Sequence, residues 1–344
     1  MPLALPHPRA GVHRRGARAL RLGRPGLWPR LPGRARRRRR RLAVTRRAAL
    51  ALASLLAGCA ERRATVARPP SPSPDAGAAA TGRACLPAGT FVRGAAGRRR
   101  RDERDPRTVA VGAFCIDRTL VTRAEFARFV AATGHVTDAE RRGFGIESVE
   151  GMLDWEWRRA PHASWRRPFT TEDADTRSFL RDDAPVVMVS WHDASAFCAW
   201  RRGRLPTEDE WEYAMRAGSQ GTRFPWGDRL TDERGRARIN RWEGASHARN
   251  DRGDGYVYVS PVRAFAPNPW GLYDPAGNVW QWTADAYLTG DAGVGSERVL
   301  RGGSWWCAAC TCEGYGLWYR GHTEARAAFS NNGFRCAYDA AERE

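Results

Sequence analysis

From Gly218 onward Gly, Asn, Asp and Trp punctuate this chain every few residues, leaving few long elements. A helical bundle needs long periodic elements, so it is not expected here. The regular structure that can be read lies upstream. Thr122-Arg-Ala-Glu125 is a capping box opening a helix with Phe126, Phe129 and Val130 on one face and Gly134 at its end. Ser190-Trp-His-Asp193 caps a second helix carrying Ala194, Phe197, Cys198 and Trp200. Thr207-Glu-Asp-Glu210 caps a third, with Trp211 and Tyr213, ending near Gly218. Phe91-Val92, Val109–Phe114 and Pro185–Ser190 read as short apolar strands, and Arg98–Arg107 as a solvated charged loop. Residues 135–184, with Trp155, Trp157 and Trp165 scattered among charges, read as a long irregular segment, which in a compact domain is usually functional or wrongly assigned. Short helices beside a loop-rich remainder predict an α+β domain with little regular secondary structure. Fifteen tryptophans and 35 glycines against four methionines predict aromatic packing.

The net charge of +19 resembles that of a nucleic-acid binder, but its distribution argues against one. Residues 1–59 hold 16 Arg and no acid; without them 41 basic residues face 38 acidic ones. No nucleic-acid partner is expected. Val44–Cys59 (VTRRAALALASLLAGC) has the order of a secretory signal: an Arg pair, an apolar run, then small residues. The run is too short to span a bilayer core of about 30 Å. Its ending, Leu56-Ala57-Gly58-Cys59, resembles a bacterial lipobox, which implies lipidation at Cys59 and an exported protein anchored in the cell envelope through lipid. With Met absent between Met1 and Met152, translation is expected to start near Val44. Residues 60–83 are rich in Ala, Pro and Ser and read as a flexible tether, leaving 84–344 as the folded domain, expected to be a monomer.

Within 84–344, Phe114-Cys-Ile-Asp117 with Val121-Thr122, then Pro185–Ser190, Trp191–Cys198 and Arg204-Leu-Pro-Thr-Glu-Asp-Glu-Trp-Glu-Tyr213 occur in a set order. Phe224-Pro-Trp-Gly227, Gly271-Leu-Tyr-Asp274, Gly277-Asn-Val-Trp280, Arg301-Gly-Gly-Ser304 and Gly333-Phe-Arg-Cys336 follow. This series resembles the formylglycine-generating enzyme (sulfatase-modifying factor) family. The resemblance implies that family's C-type-lectin-like α+β fold. It also implies its reaction, the copper- and O₂-dependent oxidation of a cysteine in a Cys-x-Pro-x-Arg segment of a sulfatase to formylglycine. The fold also carries other functions, so the site must decide.

There are eight cysteines. Cys198 and Cys336 match positions that are disulfide-bonded in relatives; a second such pair is replaced by Met215 and Leu317. Cys85 and Cys115 then remain as a pair tying the first strand to the second, although connectivity is not fixed by sequence. Cys307 and Cys312, within Gly302-Gly-Ser-Trp-Trp-Cys-Ala-Ala-Cys-Thr-Cys312, match the family's active-site cysteines. Two thiolates select Cu(I) over harder ions; the alternative is a structural disulfide across a tight loop. Cys310 departs from the pattern, either as an alternative disulfide partner or as a third copper ligand. By the same resemblance Ser304 and Trp280 line the pocket, and Arg320 and Asn331 surround the substrate cleft. Trp305-Trp306 is bulkier than the family's usual residues and is expected to narrow that cleft.

Two structural Ca²⁺ sites are implied in the same way. The first has Asn240, Asp254 and the backbone oxygens of Arg241 and Tyr256. The second has Asp274, Gln281 and the backbone oxygens of Gly277 and Val279. Calcium takes such mixtures of carboxylate and carbonyl oxygen; the plainer reading is that these Asn/Asp-Gly stretches are turns. Against the oxidase stand two other functions: a non-enzymatic, lipid-anchored lectin-like binding domain, and an oxidoreductase acting on another thiol, as in ergothioneine-type sulfoxide synthases. The latter is disfavoured, because no His-x₃-Glu cluster precedes the domain.

Overall fold

The computed structural model describes residues 82–94, 106–154, 156–287, 297–309 and 314–340. The leader with Cys59, the expected tether as far as Thr81, Trp155, most of the Arg98–Arg107 run, Cys310 and Cys312 lie outside the described residues; Arg83, assigned to the tether, instead opens the first strand. Eleven strands are short: β1 Arg83–Leu86, β2 Gly89–Arg93, β3 Arg107–Val111, β4 Phe114–Asp117, β5 Phe144–Glu147, β6 Arg158–Pro161, β7 Trp280–Ala286, β8 Glu297–Arg301, β9 Arg320–Glu324, β10 Asn332–Gly333 and β11 Ala337–Asp339. Among the described residues four α-helices accompany them: α1 Arg123–Thr133, α2 Asp138–Arg142, α3 Trp191–Trp200 and α4 Glu208–Arg216.

All three predicted caps are present. Thr122, Ser190 and Thr207 each accept from the backbone N–H three residues on, and Glu125, Asp193 and Glu210 answer with their carboxylates. A fourth capping box, Thr137 with Glu140, opens α2 inside the segment read as irregular. That segment also contains the β5–β6 hairpin and a 3₁₀ turn at Thr176–Leu180. The expected strand at Val109–Phe114 is two: β3 pairs with β2, whereas β4 lies between β1 and β11. Pro185–Ser190 is buried as expected but forms no ladder. Met188 turns left-handed there (φ 57°), and the segment is held by single bonds to Val121 and Phe329 carbonyls.

The sheet that carries the site has order β10-β7-β8-β9, with β10 parallel to β7 and the other pairs antiparallel. A three-stranded sheet, β1-β4-β11, joins the two ends of the described chain. Cys85 and Cys115 sit directly opposite in the β1–β4 register and are bonded, and Cys198 of α3 is bonded to Cys336 just before β11. Met215 and Leu317 are fully buried in one apolar cluster, so two apolar side chains fill the place of a second disulfide. Aromatic packing carries much of the core: Phe126 lies within 6.5 Å, centroid to centroid, of Phe129, Trp165, Phe197 and Phe334. Among the described residues no helix is long and apolar enough to cross a membrane.

Candidate active site

After β8 the chain passes through Gly302 (φ 92°) and Gly303 (φ 72°), backbone conformations that favour glycine. A Cβ on Gly303 would lie 2.6 Å from the backbone nitrogen of Tyr315, so only glycine lets the two segments touch. This turn leads into Ser304 and Trp305, both fully buried, and then to Trp306 and Cys307, which line a cavity of about 310 Å³. Cys307 is 2% exposed and lines that cavity. Ser304 lies beneath it, its Oγ 3.8 Å from Cys307 Sγ. Asn331 lines the cavity as well and donates from Nδ2 to Ser304 Oγ at 3.0 Å. Trp280 begins β7 opposite Asn332 of β10; its N–H binds the Asn331 carbonyl and its indole forms a cavity wall. Gly314 fits tightly here, since a Cβ on it would meet the Trp280 ring at 2.7 Å and Cys307 Sγ at 3.3 Å.

Arg320 enters the same cavity from the first position of β9. In the ladder it stands directly opposite Arg301, which would repel it. Glu208, the first residue of α4, separates the two. Its Oε1 lies 2.7 Å from Arg301 Nη1 and 2.7 Å from Arg320 Nε, and its Oε2 accepts from Arg320 Nη2 at 2.9 Å. Burial pushes the Glu208 carboxyl up, but the two guanidiniums outweigh it and hold it below the ordinary carboxylate range. Arg301 also reaches Glu212, which is bonded in turn to Arg216. Arg320 is thus a buried, oriented cation at the cavity's edge.

Cys307, Ser304, Trp280, Arg320 and Asn331 were named from the sequence, and the structure brings all five to one place. Of the Trp305-Trp306 pair, Trp306 lines the cavity, whereas Trp305 is buried in the apolar core. Trp157, Tyr319, His322 and Phe329 also line the cavity and were not marked. Trp157 was visible only as one tryptophan in an irregular segment, with nothing to tell a wall from a core residue.

These features correspond to one family, and the whole-chain comparison agrees: the sulfatase-modifying factor enzyme 1-like domain matches residues 69–340. The chain belongs to the sulfatase-modifying factor family. The formylglycine-generating enzyme of Streptomyces coelicolor is 41% identical over 288 residues, covering 75% of this chain and 90% of that protein. The mouse inactive C-alpha-formylglycine-generating enzyme 2 is 38% identical, covering 74% of this chain and 85% of that protein. Identity therefore does not separate active from inactive members; side chains must. The structure of PvdO from Pseudomonas aeruginosa superposes with a TM-score of 0.56 at 25% identity, over 75% of this chain and 94% of that one.

The implied metals fit unequally. For copper, Cys307 supplies a soft, buried sulfur at the cavity base, and its expected partner Cys312 lies outside the described residues. The first calcium set fits a hard cation. Among the described residues no donor reaches the buried Oδ1 of Asn240. Asp254 accepts from the Arg241 and Tyr256 backbones, yet burial, with Glu243 adding to it, pushes its carboxyl up to about 6. The second set does not fit as predicted. Asp274 does have a buried Oδ2 without a donor among the described residues. The Gln281 oxygen, however, accepts from Trp211 Nε1 and Arg335 Nε, both at 2.8 Å, and its amide donates to the Asp274 carbonyl. Both lone pairs are occupied, so Gln281 is no metal ligand here. The fully buried Arg335 guanidinium also binds the carbonyls of Tyr273 and Asp274, placing a cation beside this set already. No group of three His, Cys, Asp or Glu suited to a metal occurs among the described residues.

Proposed function

We propose that this protein oxidises a cysteine of a Cys-x-Pro-x-Arg peptide segment to formylglycine. The observation that carries this reading is the convergence of Cys307, Ser304, Trp280, Asn331 and Arg320 on one cavity. Its volume suits one side chain and its flanking backbone, and aromatic rings supply apolar contact area at small entropic cost.

Cys307 and Cys312 would hold Cu(I), which when bound supplies the activation of O₂. The remaining roles belong to the chain. Cys307 lies where a substrate thiol can approach it away from bulk water. Asn331 fixes the Ser304 hydroxyl, which sits within reach of sulfur chemistry at Cys307. Arg320, oriented by Glu208, presents a fixed cation for peptide carbonyl or carboxylate oxygen. Overall the cysteine loses its sulfur as H₂S and gains an aldehyde oxygen. The second oxygen atom leaves as water, with two electrons and two protons from an external thiol pair. We further propose an exported protein tethered through lipidated Cys59, meeting its substrate outside the cytoplasm.

The test is to incubate the chain beyond Cys59 (residues 60–344), loaded with Cu(I), with a Leu-Cys-Thr-Pro-Ser-Arg peptide, O₂ and a thiol reductant, and to weigh the product. Aldehyde formation that C307S abolishes supports the oxidase. An unchanged peptide, with no copper uptake, refutes it and favours an aromatic-lined binding domain.

A further inference from the structure

His247 is fully buried, and both of its ring nitrogens face acceptors. Nδ1 lies 2.9 Å from Asp154 Oδ1, and Nε2 lies 2.7 Å from the carbonyl oxygen of Trp306. The ring is thus held at both nitrogens, by Asp154 on one side and by the Trp306 carbonyl on the other. The Asp154 carboxylate also accepts the His247 backbone N–H, and these bonds from His247 hold it below its ordinary range. The imidazole stacks on the Trp306 indole, 3.9 Å between centroids and 25° between planes, and Trp242 tilts against both rings.

Trp306 is both a wall of the cavity and the residue before Cys307. Its carbonyl, in the peptide entering Cys307, is held by His247; the Cys307 carbonyl, in the peptide leaving it, accepts from the Trp242 N–H at 3.1 Å. The two peptide planes flanking Cys307 are thus pinned, one by the His247 ring and the other by the Trp242 backbone N–H. Asp154 is the titratable group in hydrogen-bond contact with the imidazole among the described residues, and it comes from the loop that leads to Trp157.

We propose that His247, held by Asp154, is a positioning residue that fixes the Trp306–Cys307 peptide and the Trp306 wall, so that Cys307 faces the substrate cavity. The inference rests on the oxidase reading. Its mechanism is orientation: a misplacement near the reacting atoms costs turnover even when binding survives.

Three variants test it. H247F keeps a ring against Trp306 but loses both hydrogen bonds; H247Q places an N–H donor near the position of Nε2; D154N removes the carboxylate charge. The readouts are peptide turnover, melting temperature, and the rate at which iodoacetamide alkylates Cys307 in the reduced protein, followed by peptide mapping. For H247F a fall of about tenfold in kcat is expected, with KM changed less than about twofold. The alkylation rate should change too, and H247Q should restore both more fully than H247F. If H247F lowers the melting temperature but leaves kcat and alkylation at wild-type values, the role is structural and the proposal fails. It also fails if H247Q is no better than H247F. Should the wild type turn over no peptide, the oxidase reading falls by itself, and the alkylation rates still decide whether His247 orients Cys307.

Discussion

Removing the carboxylate of Glu208 should cost the protein more than any other single change in the site region. Three short contacts join Glu208 to Arg301 and Arg320, and Glu208 is almost entirely buried. The two arginines stand opposite each other on neighbouring strands. In E208A that repulsion is uncovered and buried charge loses its compensation. Breaking a buried pair in this way costs about 3–5 kcal/mol, and a like-charge pair about 4 Å apart at an effective dielectric of about 20 gives a similar figure, about 4 kcal/mol. For a domain of this size the melting temperature should fall by roughly 10 °C. E208Q keeps an acceptor oxygen and should lose about half as much. The carboxyl is depressed in the folded protein. Its contribution is therefore present above the unfolded value of about 4.3 and disappears as pH falls below that, through the lower folded value. Urea unfolding at pH 7 and at about pH 3 measures both effects. If E208A unfolds within about 1 kcal/mol of wild type at pH 7, or if the difference persists unchanged at about pH 3, the argument is wrong. A secondary expectation is a raised KM for peptide, because Arg320 is no longer aimed.

Three further outcomes follow from the same structure. The Cys198–Cys336 bond closes a separation of 138 residues, so replacing both cysteines by Ala should lower the unfolding free energy by about 5 kcal/mol by loop entropy, measured by chemical denaturation. Asp254 titrates near 6 in the folded protein, above the unfolded value of about 3.9. In chelator, wild type should therefore lose stability relative to D254N as pH rises from about 4 to about 6, and added Ca²⁺ should remove that loss; parallel melting curves would show that Asp254 holds no buried proton. G314A drives a methyl group into the Trp280 ring and toward Cys307 Sγ, and should cut peptide turnover at least tenfold while shifting the Trp280 fluorescence.

Features governed by local rules were legible in the chain. The caps at Thr122, Ser190 and Thr207 follow from hydrogen bonding within four residues, and their helices formed where those rules placed them. The box at Thr137 obeys the same rule, but its helix is five residues long and carries no apolar period to reveal it. The strands around the site were not legible. β7 reads WQWTADA, whose apolar and polar residues do alternate but read as punctuation; β9 reads RGHTE, without alternation, and is a strand because its neighbour in the sheet completes the ladder. At the site, family resemblance named the side chains that meet, but not the walls from Trp157 and Phe329, which arrive from separate loops. The Gln281 expectation failed for a non-local reason: its oxygen is claimed by Trp211 and Arg335, 70 and 54 residues away.

The pairing of β11 with β4 and of β10 with β7 sets an order on synthesis. A growing chain that has emerged only as far as Gly314 already contains Cys307, but has neither the strand that flanks Trp280 nor the one that borders Cys115. Asn331, Cys336 and β11 come last, and long-range pairings of this kind form slowly. The cavity is therefore a product of the finished polypeptide: a chain still in translation carries Cys307 without the walls that surround it.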